Sequence, residues 1–189
     1  MICMERYMLH LQNNGYLPIN SLDLVNQARK LCSDIGATVK VARVASKFVE
    51  FDVTVEKEKF DAVVEKLRPI GKLDNVRHVV EEEIEKDDGI KDGIFYFNNE
   101  RFWESHEAWE GVWKKCYGKE KEVIQGIILV AAAFAHLQKN DDEIALGIFG
   151  RALEKIGDFS GTYNNIDIDK IRRKITEMRQ TKELTIFQI

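Results

Sequence analysis

Three tryptophans, three acids and a histidine fall within twelve residues: Phe102-Trp103-Glu104-Ser105-His106-Glu107-Ala108-Trp109-Glu110-Gly111-Val112-Trp113. His106 and Glu110 stand four apart, the spacing at which two side chains on one helix reach the same ion. His106-Glu107-x-x-Glu110 copies the zinc-binding His-Glu-x-x-His pattern, with Glu in the second ligand place. Glu107 then sits where such enzymes keep a general base, and either Glu107 or Glu110 is a candidate to activate water. The cofactor that fits is a divalent metal, zinc or manganese. Two protein ligands are too few for zinc, so Gln125, His136, Asn99 or another subunit must supply the rest. A second reading needs no metal. His106 and Glu110 hydrogen-bond each other and Gln125, and the three form a buried polar network that ties two helices together.

These residues need a helix to position them. At about 100° per residue, Phe102, His106, Trp109 and Trp113 fall within about 60° of one another, and Glu110 lies about 40° beyond His106. Ser105, Ala108 and Val112 flank that stripe, while Glu104, Glu107 and Gly111 point away. Trp103, Trp109 and Trp113 either line a ligand pocket or, as such stripes more often do, fill a core. Gly118 breaks the helix, and residues 119–139 read as its antiparallel partner, with Gln125, Ala132 and His136 on one line. At 1.5 Å per residue from a turn near Tyr117, Glu110 and Gln125 come level at about 10 and 12 Å. His136, about 28 Å along, lies opposite residues 98–102 and joins the site only if the helices cross or slide.

The pattern Phe97-Asn98-x-x-Arg101-Phe102-Trp103-Glu104-x-His106-Glu107-x-Trp109-Glu110-x-x-Trp113 resembles the signature of domain-of-unknown-function family 309. So do Gln125-Gly126, the alanine run after it, His136-Leu137 and Asn140. The resemblance spans about residues 88–157. The family's core of His, three residues, Glu, two residues and Trp falls on His106, Glu110 and Trp113 without departure. The resemblance implies an all-helical domain and the family's general label, predicted metal-dependent hydrolase.

The rest of the composition narrows the setting. In 189 residues, 44% are apolar and 32% charged, which is a globular balance. A net charge of −4 gives no general attraction to nucleic acid or anionic lipid, and neither partner is expected. Cys3, Cys32 and Cys116 are scattered and odd in number, so no disulfide framework or cysteine zinc site is implied. Residues 1–6 lack a signal-peptide pattern, and the apolar run 123–137 is too short to span a bilayer. A cytoplasmic protein is expected, with a small-molecule substrate and a homo-oligomeric state both compatible with the sequence.

Taken in order, residues 7–12 alternate as a strand, and residues 21–35 keep helical spacing up to Gly36. Residues 38–44 and 47–55 read as strands. In the second, Val49, Phe51, Val53 and Val55 face one way, and Phe48, Glu50, Asp52 and Thr54 the other. A helix over 56–67 and a strand over 73–80 complete β-α-β-β-α-β, the ferredoxin-like plan. With two acids beside its one aromatic, the outward face is a poor platform for RNA. The charged run 81–89 reads as a linker, and helices are expected over 90–97, 100–116, 119–139, 141–156 and about 169–181. An apolar tail, 184–189, is left to dock on a neighbour. The expected fold is therefore α+β: a ferredoxin-like domain over 1–82 and an all-α helical bundle over 88–189. Two functions stay open. One is a metal-dependent hydrolase; the other is a non-catalytic binding or assembly module, with the ferredoxin-like domain as a dimerisation or ligand-sensing unit.

Overall fold

In a computed structural model, residues 4–80 and 83–189 are described. They divide into two compact units, Met1–Glu82 with Gln138–Asn140 and Glu83–Leu137 with Asp141–Ile189. The sequence readings for Met1, Cys3, Glu81 and Glu82 lie outside the described residues.

The first unit holds β1 (Met4–Gln12), α1 (Ser21–Leu31), β2 (Thr38–Val44), β3 (Phe48–Glu56), α2 (Phe60–Leu67) and β4 (Leu73–His78). The strands lie in the order β2-β3-β1-β4, every neighbouring pair antiparallel, which is the ferredoxin-like arrangement. Strand alternation sends Val49, Phe51, Val53 and Val55 of β3, with Tyr7, Leu9 and Leu11 of β1, into one core. There they meet Leu24, Val25 and Ala28 of α1 and Val63 and Leu67 of α2. Helix α1 stops at Leu31, short of the expected Ile35, and the chain turns to Gly36 at φ 71°.

The opposite sheet face carries its own charge pairs. Register places both His10 and Arg43 beside Glu50. Arg43 donates to Glu50 Oε1, and His10 Nε2 lies 3.0 Å from Glu50 Oε2. Arg6 donates to both Asp52 oxygens, at 3.0 and 2.7 Å. The two acids that made this face look hostile to phosphate are thus each matched by a cation. Burial alone would push the Glu50 pKa up, but the His10 contact and the Arg43 charge outweigh it and hold the carboxyl below its ordinary value.

The second unit is built from α3 (Lys86–Asn98), α4 (Phe102–Lys114), α5 (Gly118–Leu137), α6 (Asp142–Ile156) and α7 (Ile168–Thr181). Glycines set the spacing of its helices. A Cβ on Gly89 would stand 2.8 Å from Val112, and one on Gly93 2.6 Å from the Trp109 ring, so α3 meets α4 through bare backbone. Gly126 does the same for α5, since its Cβ would be 2.5 Å from Ile156 of α6. Residues 161–165 fall between the helices expected over 141–156 and about 169–181. There β5 (Thr162–Tyr163) and β6 (Ile166–Asp167) form a small hairpin, because Asn164 and Asn165 accept the positive φ values that a two-residue turn requires. Asp167 then caps α7 by accepting from Lys170 N–H at 2.8 Å. Among the described residues, no helix is long and apolar enough to cross a membrane.

Candidate functional site

The site helix is fixed at its first turn. Arg101 donates to both carboxylate oxygens of the buried Glu104, and its guanidinium lies 4.7 Å from the Tyr96 ring centre. One turn on, Ser105 Oγ donates to the Gly93 carbonyl at 2.8 Å. Phe102, Ser105, Ala108, Trp109 and Val112 form the buried side of α4. The helix is therefore rotated relative to the expected stripe. Ser105, Ala108 and Val112 share the interface with the aromatics: Val112 and the Ala108 carbonyl lie against Gly89, and the Trp109 ring lies against Gly93.

That rotation moves the polar residues to the rim. His106 and Glu110 were expected in a buried network with Gln125; instead their side chains are 27% and 47% exposed, and Glu107 is 40% exposed. Glu107, expected to point away, joins them. His106, Glu107 and Glu110 each bring one ligand atom to within 4.8 Å of the others. His106 Nδ1 is 3.7 Å from Glu107 and Nε2 is 3.8 Å from Glu110, distances beyond a direct hydrogen bond. Three groups that could accept the same cation thus converge without satisfying one another.

The remaining candidates fall elsewhere. Gln125 is half-buried on α5. His136 stands outside the group, at the far end of α5, where its Nδ1 is 3.1 Å from Asp141 Oδ2. Trp109 is wholly buried, and its indole N–H has no hydrogen-bond partner among the described residues. Trp103 is half-buried, and Trp113 packs at the core margin with Lys121 Nζ 3.9 Å above its ring. A buried histidine–glutamate pair does exist, but in the sheet unit, as His10 with Glu50.

A second polar cluster escaped the sequence reading because it joins three distant segments. Lys86 Nζ donates to Glu120 Oε1 at 2.7 Å, and Tyr163 Oη donates to the same oxygen at 2.9 Å. The Lys86 bond holds the Glu120 carboxyl below its usual range. Burial first, and Glu120 second, push the Tyr163 hydroxyl upward. Burial likewise raises the Cys116 thiol beside them.

Residues 90–148 match the family model described as domain of unknown function (DUF309). No curated protein matches the chain.

Proposed function

We propose, for a chain whose residues 90–148 carry a DUF309 domain, that α4 presents a divalent-cation site formed by His106, Glu107 and Glu110, and that this site serves metal-assisted hydrolysis of a small molecule. The convergence of these three donors on the open rim of one helix is the observation that carries the reading. An imidazole nitrogen with two carboxylates is a donor set that zinc and manganese both accept. Ligand distances of about 2.0–2.2 Å would require the side chains to close by small rotations, which their exposure permits. A divalent ion bound there supplies electrophilic polarisation of a carbonyl or phosphoryl oxygen.

The protein's own part follows from its side chains. Glu107 and Glu110 together balance the charge of a divalent ion. Either carboxylate is a candidate to accept a proton from water. The half-exposed rim gives substrate an approach, while the fixed inner face of α4 keeps the three donors on a rigid element.

Elemental analysis of the chain purified without an affinity tag, followed by melting with zinc or manganese, tests the reading. His106→Ala and Glu110→Gln are rim substitutions, so each should change intrinsic stability by about 0.5 kcal/mol or less. Metal at about a hundred times its Kd should stabilise the parent by about 2.7 kcal/mol, and both variants should lose that response together. If zinc and manganese leave the parent's melting unchanged and none is retained on purification, the rim is a solvated surface and the non-catalytic module is correct.

A further inference from the structure

We propose that the surface formed by the end of α3, α5 and α7 is a recognition site for an extended aromatic-x-aliphatic peptide segment, occupied here in cis by residues 184–189. This inference does not depend on the cation site. After Lys182, which takes φ 63°, the chain leaves α7 and runs without regular structure across its own helical unit. It is held as a bound peptide is held. Asn98 reads the backbone of Ile189 at both groups: Oδ1 accepts from the Ile189 N–H at 2.9 Å, and Nδ2 donates to its carbonyl at 3.0 Å. Lys170 Nζ donates to the Gln188 carbonyl at 2.7 Å. These contacts ask for an extended backbone and for no particular side chain. Selectivity comes from Phe187, whose ring centre lies 5.4 Å from that of Phe134 and 6.2 Å from that of Phe97, where it packs against the core of the helical unit. Backbone contacts that give affinity, with one side-chain pocket that gives choice, are how extended-peptide sites work. The segment's own sequence defines the ligand class: an aromatic residue, any residue, then an aliphatic one.

The test uses the full chain carrying Leu184→Ser and Phe187→Ser together, and a fluorescent peptide copying residues 183–189 with both ends capped. Polarisation should show saturable binding to this variant at least about tenfold tighter than to the parent, whose tethered segment competes at roughly millimolar effective concentration. Adding Asn98→Ala, or putting Phe187→Ser into the peptide, should remove the binding. A folded double variant that does not bind the peptide, or binds it regardless of Asn98, overturns the proposal. Should the double variant fail to fold, amide exchange in the parent decides. Thr185 and Ile189, whose N–H groups donate to Met178 Sδ and Asn98 Oδ1, should exchange by local opening, well before the core helices. If they exchange only with the core, the segment is a fixed part of the fold and the proposal falls.

Discussion

Trp109→Ala should lower the stability of the helical unit by about 3–5 kcal/mol, the range for emptying a large, fully enclosed aromatic site. Trp109 is 0% exposed, and its ring lies against the Cα of Gly93, where nothing larger than hydrogen fits. Trp109→Phe should cost less than half as much, for a specific reason. The indole N–H has no partner among the described residues, so its removal relieves an unsatisfied buried donor worth about 1–3 kcal/mol, against the lost ring volume. Gly93→Ala places a methyl group into the indole and should cost about 1–3 kcal/mol in the parent. In the Trp109→Ala background that clash is gone, so the two changes should be strongly non-additive. Denaturant melting of the four-member cycle measures this. Additive losses would mean that α3 and α4 do not meet through Gly93.

Glu50→Ala should be equally damaging in the sheet unit, at about 3–5 kcal/mol. The carboxylate is 2% exposed and serves both Arg43 and His10, so its loss leaves a buried guanidinium without its counter-charge. Arg43 is already incompletely paired, since its Nε has no hydrogen-bond partner among the described residues. Replacing both members, Arg43→Met with Glu50→Leu, should recover most of the loss, because the desolvated charges leave together. The same pair shapes the acid limb. Glu50 titrates lower folded than unfolded, so its contribution is fully present above its unfolded value near 4.5 and disappears as pH falls through the folded value. Parent stability should therefore fall below about pH 4.5 along a limb that is shallower in Glu50→Gln. Equal slopes in the two proteins would remove Glu50 from the acid transition.

The sheet unit was legible from its sequence because period-two alternation in 48–55 and punctuation at Gly36 are local signals. Which charges would meet across the strands was not, since Arg43, His10 and Glu50 are brought together only by register. For α4, helical spacing correctly put His106 near Glu110, yet the face was misjudged by roughly a quarter of a turn. Ranking Phe and Trp as the most apolar residues centred the stripe on them, whereas close approach at Gly89 also brings Val112 and the Ala108 backbone into the interface beside Trp109. The spacing Gly89-x-x-x-Gly93 carried that information. The Lys86, Glu120 and Tyr163 cluster had no such signal, because its members share neither a helix nor a repeat.

Strand connectivity also bears on how fast each half is acquired. β1 sits between β3 and β4, so the sheet cannot close until residue 10 has found both Glu50 and Asn75. In the helical unit the chief packing partners are chain neighbours, α3 with α4, α4 with α5, α5 with α6 and α6 with α7. Local pairing carries a small loop-closure cost and distant pairing a large one, so the later half of the chain should regain structure in microseconds to milliseconds, and the earlier half more slowly. In stopped-flow refolding, the fluorescence of Trp103, Trp109 and Trp113, all in α4, should settle before the far-ultraviolet signal of the strands does. During that interval the chain carries formed helices and an unclosed β1, whose apolar Leu9 and Leu11 are then open to a like strand of another molecule.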